Sequence, residues 1–400
     1  MDSGQILQPT LLKTGDLNVA GKRRLLLRLI RASQPVTRTE IAQRLKIDRS
    51  TVTENTRELI NRGVLREVTR DAGSDVRRGR VLSFATTDEY FVGINLGVRH
   101  TQVGWTTMTG DTASEVEFET PKTASATIKL AIEHVEKIRV EKPAKTLRTI
   151  GVSVPGMIDG GRRNVIFAPN LNWRTVDIAG SFSKFDGVPV VVENDATAAA
   201  IFEARLKIAE SSEGAASNFI LVRSGTGIGV GLIIGSEIYR GTGLGRGIAG
   251  EFGHMTIVAG GKSCVCGNQG CWEKYASASS AASLYLGDRP LRPGQTMPRF
   301  VEIVAKAENG EVRSRRTLEK IGDYLGIGIA NVIMGTGVPR VIISGRLVYG
   351  WKFIVEPLHD AIRRSIIGSV DGWSIEAGSP SGSALGGALE VAVEEYLNTI

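Results

Sequence analysis

Three cysteines and one histidine are the residues whose types and spacing most directly indicate chemistry. The chain contains only three cysteines, and all of them, Cys264, Cys266 and Cys271, lie within eight residues, shortly after His254. One His and three Cys form the ligand set of a closed tetrahedral zinc site, which leaves no position open for water. An odd number of cysteines also argues against a disulfide framework. The spacing therefore predicts a structural Zn²⁺ site; the alternative is three reduced thiols and an unrelated histidine, an arrangement prone to oxidation when exposed.

Basic residues near the N-terminus indicate a second kind of chemistry. Residues 1–85 contain 17 Lys and Arg against 9 Asp and Glu, a net charge of +8, whereas residues 86–400 carry a net charge of −1. This uneven distribution is typical of a small nucleic-acid-binding module joined to a larger domain with another task. The charge distribution alone would also fit a basic surface that contacts only solvent.

The elements predicted for this basic segment form a winged helix-turn-helix. Thr37 and Glu40 have the spacing of a capping box at the start of the second helix. Asp48 is placed to cap the start of the third helix, and Gly63 ends that helix. A basic loop over residues 69–80 separates two strands and would form the wing. The predicted elements are helices over Gly21–Ala32, from Thr37 through Leu45 and from Arg49 to about Arg62, and strands over Leu65–Val68 and Val81–Phe84.

The third helix is the one expected to read DNA. In a helix-turn-helix protein the N-terminal part of this helix enters the major groove, where Arg suits guanine and Ser or Thr reads several base edges. The side chains predicted to face outward are Arg49, Ser50, Thr51, Thr53, Glu54 and Arg57. The wing adds Arg77, Arg78 and Arg80, which we expect to meet phosphates or a minor groove. The alternative is a helical bundle that binds a protein or no macromolecule.

The rest of the chain, from about Glu89, alternates strands, glycine turns and helices. This pattern predicts an α/β domain of two lobes around a cleft, and no internal repeat is visible. The predicted elements are strands over Phe91–Leu96, His100–Thr106, Ile150–Val154, Val188–Val192, Phe219–Arg223, Ile228–Ile234 and Arg340–Ser344, and a helix over Ala196–Ala209.

The composition excludes several classes of protein. With 42% hydrophobic and 23% charged residues, the chain is neither disordered nor a collagen nor a coiled-coil rod. It has no run of about 18 uncharged apolar residues, so no spanning helix and no membrane partner are expected. Met1 to Ala20 has no basic segment followed by an apolar core, so no secretory signal is expected. We therefore predict a cytoplasmic protein.

Two segments around the histidine and cysteines resemble a known family. Gly250–His254 reads GEFGH, and Cys264–Glu273 reads CVCGNQGCWE. Both resemble the signature of the ROK family (repressors, open reading frames and kinases), and the preceding helix-turn-helix is similar to that of the family's repressor branch. The resemblance covers nearly the whole chain. It implies an α/β fold in which a winged helix-turn-helix precedes an actin-like (ribonuclease H-like) domain with a sugar in its cleft.

The resemblance also implies domain boundaries. The DNA-binding domain would span residues 1–86 and the ROK domain residues 87–400. Within the ROK domain, the first lobe would comprise about 87–195 together with a C-terminal helix at about 384–400. The second lobe would comprise about 196–383 and carry the zinc loop.

The resemblance implies a set of sugar-binding residues. The segment Val192–Ala196 reads VENDA, similar to the family's segment at a strand-to-helix junction. Asp195 would be equivalent to the general base of kinase members, and His254 would serve both zinc and sugar. Capping of the helix by Asn194 or Asp195 is the alternative. The implied sugar-binding residues are Asn194, Asp195, Glu251, His254, Glu273 and Asn170.

Two glycine-containing segments bear on ATP use. Ser224–Gly229 resembles the family's second phosphate loop, whose backbone amides cradle phosphate. The first phosphate loop departs from the family because Asn95 replaces the acid that serves magnesium, while Val98 and Arg99 crowd the turn. Ser344–Arg346 retains only a remnant of a nucleotide-side turn. Kinase activity is therefore not expected.

The leading hypothesis is a sugar-responsive transcription regulator, a repressor of carbohydrate-utilisation genes. A homodimer or homotetramer would place its recognition helices on a palindromic operator, and a sugar or sugar phosphate would be the effector. One alternative is a ROK-type ATP-dependent sugar kinase that carries a DNA-binding head. Another is a regulator controlled by a protein partner.

Overall fold

The computed structural model describes residues 19–69, 80–85, 88–110, 112–210, 218–242, 247–287, 296–380 and 383–400. Of the predicted wing arginines, Arg77 and Arg78 lie outside these ranges, whereas Arg80 lies inside them. Within the described ranges, every helix is too short or too polar to span a bilayer.

The N-terminal head is the predicted winged helix-turn-helix. Thr37 and Glu40 form the predicted capping box, and the apolar faces of the three helices meet in one buried core. The structure adds a two-residue strand, Val36–Thr37, that pairs with the second strand of the hairpin. The elements of the head are α1 (Val19–Ser33), β1 (Val36–Thr37), α2 (Arg38–Leu45), α3 (Arg49–Asn61), β2 (Leu65–Thr69) and β3 (Arg80–Phe84).

Helix α3 begins where the sequence predicts, but without the predicted cap. Asp48 occupies the N-cap position, yet its side chain makes no capping hydrogen bond. The helix is instead held by its buried face, where Val52 and Leu59 are fully enclosed.

The first half of the body is built on a five-stranded sheet. Its strand order is β11-β7-β4-β5-β6; strands β4, β5 and β6 form an antiparallel meander, and β7 and β11 extend it in parallel. Strands β8, β9 and β10 form a small separate sheet. The elements are β4 (Glu89–Leu96), β5 (His100–Thr106), β6 (Thr112–Glu119), α4 (Ala124–Glu141), β7 (Thr146–Val154), β8 (Met157–Ile158), β9 (Asn164–Ala168), β10 (Trp173–Asp177), α5 (Ile178–Ser181), β11 (Val190–Asn194) and α6 (Asp195–Glu210).

The second half repeats the same topology. The sheet order is β14-β13-β12-β15-β16, again an antiparallel meander extended by two parallel strands. The sequence analysis missed this repeat because the topology recurs without matching residues. The elements are β12 (Phe219–Ser224), β13 (Ile228–Ile234), β14 (Glu237–Ile238), α7 (Glu273–Ala276), α8 (Ser280–Leu286), α9 (Phe300–Glu308), α10 (Val312–Thr336), β15 (Arg340–Gly345), α11 (Trp351–Arg363), β16 (Ser374–Ala377) and α12 (Ser383–Leu397).

Helices α6 and α12 pack against each other at the centre of the body. Helix α12 lies across β4 and β7, while α6 lies across β12 and β13. Alanines on α6 allow this close packing, because Ala196, Ala198, Ala199 and Ala200 are all buried. The helix predicted over Ala196–Ala209 is therefore the element shared by both sheets.

The head is docked on the body through buried ion pairs. Helix α1 packs on α6 and α12, and Glu390 of α12 lies between Arg31 of the head and Arg205 of α6. Arg31 and Glu390 have side-chain exposures of only 3% and 5%. Arg28 adds a second pair with Glu394 at 2.8 Å. These arginines contribute to the positive charge of the head, but they bind the body.

We expect Glu390→Gln to destabilise the folded chain. The substitution leaves two guanidinium groups without their shared carboxylate, and removal of one partner from a buried ion pair costs about 3–5 kcal/mol. The measurement is the apparent free energy of unfolding in a urea titration. The matched control is Glu302→Gln, whose partner Arg299 is solvent-exposed and whose loss should change the free energy of unfolding much less. Equal small losses in both variants would contradict the role given to Glu390.

Candidate functional site

A cleft of about 300 Å³ lies between the two halves of the body. Its walls include the turn between β4 and β5, the turn between β12 and β13, and the junction of β11 with α6. All six residues predicted to bind sugar line this cleft: Asn170, Asn194, Asp195, Glu251, His254 and Glu273.

The predicted metal ligands converge at one edge of the cleft. The Sγ atoms of Cys266 and Cys271 are 3.7 Å apart, and Cys264 Sγ lies 3.6 Å from His254 Nδ1. All four ligand atoms lie within 4.8 Å of one another. A tetrahedral site with zinc–sulfur bonds of about 2.3 Å separates its ligand atoms by about 3.8 Å. The donor set and its spacing therefore fit a zinc ion.

Burial raises the pKa of the Cys264 and Cys271 thiols above the ordinary value. Zinc binds cysteine as the thiolate. A cation at this position would supply the positive charge that the buried thiolates need.

A tryptophan anchors the cysteine loop to the core. Trp272 is fully buried directly after Cys271, and its Nε1 donates a hydrogen bond of 2.9 Å to the carbonyl of Tyr324 on α10. Gly328, one turn further along α10, makes room for the indole, because a Cβ at that position would overlap it. The loop is thus fixed at its base, and Glu273, which follows the tryptophan, is fixed with it.

His254 connects the metal cluster to the cleft. Its Nδ1 faces Cys264, whereas its Nε2 lies 3.8 Å from Glu251 Oε2. Glu273 is buried on the other side, with Oε1 3.2 Å from Cys264 Sγ and 3.9 Å from His254 Nδ1. The imidazole therefore offers one nitrogen to a metal and the other to the cleft.

The cleft concentrates carboxylates. Burial raises the pKa of Glu251 to about 7, and the carboxylates of Asp195 and Glu273 add to the shift. Carboxylates accept hydrogen bonds in pairs from neighbouring hydroxyl groups. This wall of the cleft is chemically suited to a polyol such as a sugar.

The structure assigns different local tasks to Asn194 and Asp195. Asn194 caps α6, since its Oδ1 accepts hydrogen bonds from the amides of Ala196 and Thr197 at 2.8 and 3.2 Å. Capping was the alternative that the sequence left open. Asp195 does not cap; its Oδ2 pairs with Arg223 Nη1 at 2.6 Å. Arg223 stands in the strand before the glycine turn, where local sequence gave no sign of a partner.

Close packing of the glycine turn brings the predicted residues together. A Cβ at Gly227 would overlap Glu273 Oε2, and it would lie 3.6 Å from Asn170 Nδ2. A side chain at position 227 would displace the Glu273 carboxylate, so glycine lets the β12–β13 turn approach the sugar-binding wall without disturbing it.

Asn95, which replaces the expected acid at the first phosphate loop, forms its side-chain contacts within the sheet. Asn95 is paired in register with Gln102 on β5 and Ser153 on β7. Its Oδ1 accepts a hydrogen bond of 3.1 Å from Ser153, and its Nδ2 donates one of 3.2 Å to Gln102. The amide is thus held by strand neighbours on both sides.

The outer surface of α3 carries the predicted DNA-reading side chains. Arg49, Ser50, Glu54 and Arg57 are exposed, and Thr51 and Thr53 are half-buried. Thr53 also donates a hydrogen bond of 2.8 Å to the carbonyl of Arg49. Arg80 is exposed at the start of β3, 3.3 Å from Glu67.

Comparisons with known proteins agree with this architecture. A profile described as "ROK family" matches residues 91–393, and one described as "Winged helix-turn-helix DNA-binding" matches residues 21–66. The chain is 29% identical over 344 residues to the xylose repressor of Bacillus subtilis, covering 85% of this chain and 86% of the repressor.

Two solved structures share the fold. A ROK family transcriptional regulator, a homologue of the Escherichia coli MLC protein, superposes with a TM-score of 0.74 at 21% identity, over 95% of this chain and 97% of the regulator. A ROK family glucokinase from Streptomyces griseus in complex with glucose and AMPPNP gives 0.63 at 27% identity, over 76% of this chain and 99% of the kinase. The glucokinase match omits about a quarter of this chain, whereas the regulator match spans nearly all of it. The cleft, the His and Cys cluster and the two profile matches together establish that this chain belongs to the ROK family and carries a winged helix-turn-helix head.

Proposed function

We propose that the chain is a sugar-responsive DNA-binding transcription regulator, and specifically a repressor of carbohydrate-utilisation genes. The observation that carries this proposal is the course of α6. The helix begins in the cleft at Asp195, and near its other end the carbonyl of Ile208 accepts a hydrogen bond from Arg44 of the head. The xylose repressor and the MLC homologue among its relatives support the same function.

The effector acts through a difference in affinity. A ligand changes DNA binding only if it binds one arrangement of the two lobes and the head better than another. In this proposal sugar hydroxyls bond to Asp195, Glu251 and Glu273, and Asn170 and His254 complete the ring of contacts. Asn194 contributes chiefly by capping α6, and its Nδ2 donates a hydrogen bond of 3.0 Å to the carbonyl of Gly156 in the cleft wall.

A structural zinc ion is part of the proposal. Its ligands would be His254, Cys264, Cys266 and Cys271. The ion would stabilise the three thiolates by its positive charge and crosslink the loop through its bonds to them. With four protein ligands there is no open position for a catalytic water. The ion would then hold His254 against the loop, beside Glu273 on one side and Glu251 on the other.

We expect Cys266→Ser to lower the zinc content of the purified protein and to weaken the sugar response. Cys266 is half-buried, whereas Cys264 and Cys271 are buried, so its replacement disturbs packing less than replacement of either other cysteine. The measurement is zinc per chain by elemental analysis. The control is Val265→Ser, an exposed neighbour in the same loop, which should retain zinc. Unchanged zinc in Cys266→Ser would refute the ligand assignment.

The DNA-binding surface is assigned to the exposed side of α3. A dimer would present two such helices to a palindromic operator about one helical turn apart. Arg80 and the wing residues Arg77 and Arg78 would contact the phosphate backbone. The experiment is fluorescence anisotropy with the DNA upstream of the chain's own coding sequence, at two salt concentrations, because affinity without salt dependence is uninterpretable.

In that assay we expect Arg49→Ala to weaken operator binding by roughly 5- to 150-fold, since a base contact contributes about 1–3 kcal/mol. Arg62→Ala, at the opposite end of the same helix, is the matched control and should change affinity much less. If Arg49→Ala binds like the original chain, α3 does not read DNA in the proposed orientation.

We expect Asp195→Asn to lose most of its sugar response while it still binds the operator. The substitution keeps the shape of the side chain but removes the charge, and a hydrogen bond to a charged group contributes about 1.5–3 kcal/mol. The measurement is the shift in operator affinity caused by a panel of sugars. A folded Asp195→Asn protein that no longer binds DNA would show that the two tasks are not separable.

A ROK-type sugar kinase with a DNA-binding head is the second candidate, favoured by the retained Asp195 and by the glucokinase relative. Two contacts oppose it. Asn95 is engaged with its strand neighbours, and Asp195 is paired with Arg223. Sugar-dependent ATP consumption by the purified protein distinguishes the two, and we expect none.

A further inference from the structure

We propose that the effector is a phosphorylated monosaccharide, and that Arg99, Arg223 and Arg346 bind its phosphoryl group. This inference rests on the proposed sugar-responsive function and names the chemical class of the ligand.

The three arginines come from different elements but line the same cleft. Arg99 lies in the turn between β4 and β5, in the first half of the body. Arg223 lies near the end of β12, in register with Ser344 of the parallel strand β15. Arg346 follows the end of that neighbouring strand. The two halves of the body therefore present guanidinium groups to one space.

The backbone at Gly345 is what places Arg346 next to β12. Gly345 has a φ of +81°, and a Cβ there would overlap the carbonyl of Ser224. Only glycine satisfies both the conformation and the close approach. The turn that carries Arg346 is therefore built into the sheet.

The positive charge of these three arginines is only partly neutralised. Among the residues that the structure describes, no carboxylate forms an ion pair with Arg99 or Arg346. The pKa of Arg346 is lowered by burial and then by repulsion from Arg99 and Arg223. Arg223 pairs with Asp195 through Nη1, but its buried Nε has no hydrogen-bond partner in the described parts of the chain. Like charges held together in this way are stabilised by an anion.

A second group of cleft residues has the reverse character. Glu251 lies near Asp195 and Glu273 and offers acceptors for hydroxyl groups, and the pair of Asp195 with Arg223 joins this group to the arginines. The remaining cleft carboxylate, Glu117, accepts a hydrogen bond of 3.0 Å from Gln102. A ligand with hydroxyls at one end and a phosphoryl group at the other matches this distribution.

The contacts favour a sugar phosphate over a nucleotide. Nucleotide phosphates usually bind together with magnesium, which prefers carboxylate oxygens. Here Asn95 is an amide held by Ser153 and Gln102, and Asp195 is paired with Arg223. Arginine binds a phosphoryl group directly through paired N–H donors and needs no metal.

The test is isothermal titration calorimetry on the full chain with matched pairs of ligands. The probes are glucose, mannose and N-acetylglucosamine with their 6-phosphates, xylose with xylose 5-phosphate, inorganic phosphate and ADP. We expect at least one phosphorylated sugar to bind tenfold or more tightly than its free form, and less tightly as salt is added. Arg346→Gln and Arg99→Gln should each reduce that preference by about tenfold.

The matched control is Arg316→Gln, an exposed arginine on α10 outside the cleft, which should leave the preference unchanged. Competition of inorganic phosphate with the sugar phosphate would support the inference. Equal binding of free and phosphorylated sugars that neither Arg346→Gln nor Arg99→Gln alters would overturn it, and the sugar-responsive function would stand. Binding of ADP alone, lost in Arg346→Gln, would overturn it in favour of a nucleotide. If no probe sugar binds or shifts operator affinity, the proposed function itself fails, and the inference with it.

Discussion

One buried carboxylate determines how the DNA-binding head sits on the body. Glu390 lies between Arg31 of the head and Arg205 of α6, and the side chains of Arg31 and Glu390 are almost fully buried. Burying this ion pair is costly unless both charges stay paired, so the arrangement tolerates little displacement. Any movement of α6 relative to α12 changes the environment of Glu390 and, through Arg31, the position of α1. The head and the cleft are therefore mechanically connected.

The cleft is shaped by the packing of the two sheets against α6 and α12. Two sheets of equal topology face each other, and the alanine-rich α6 and α12 fill the space between them. The predicted sugar-binding residues reach the cleft from separate elements that only this arrangement brings together. Trp272 fixes the cysteine loop to α10 together with Glu273, which follows it. His254 contacts this loop at Cys264, and Glu251 lies beside His254. The cleft thus has a fixed acidic wall and a glycine-lined turn opposite it.

Features encoded by neighbouring residues were predictable, and features that depend on distant partners were not. The cysteine spacing predicted the cluster, and Thr37 with Glu40 predicted its capping box. The arginines of α1 add to the net positive charge from which a nucleic-acid-binding module was predicted, but Arg28 and Arg31 meet carboxylates more than 350 positions away. Asp48 occupies the N-cap position of α3 without forming the predicted capping hydrogen bond, and packing of the buried face of α3 depends on residues distant in the chain. The pairing of Arg223 with Asp195 and the repeated sheet topology required the folded chain to be seen.

Because α6 is long, a small tilt at its cleft end produces a larger displacement at its head end. Its 16 residues span about 24 Å at a rise of about 1.5 Å per residue. A helix of that length acts as a lever arm: a tilt of about 5° about its cleft end moves the far end by roughly 2 Å. Displacements of that size at a packed interface are enough to switch it between two arrangements. A small displacement of Asp195 by a ligand would therefore become a larger movement at the far end of α6, large enough to change how the head packs on the body.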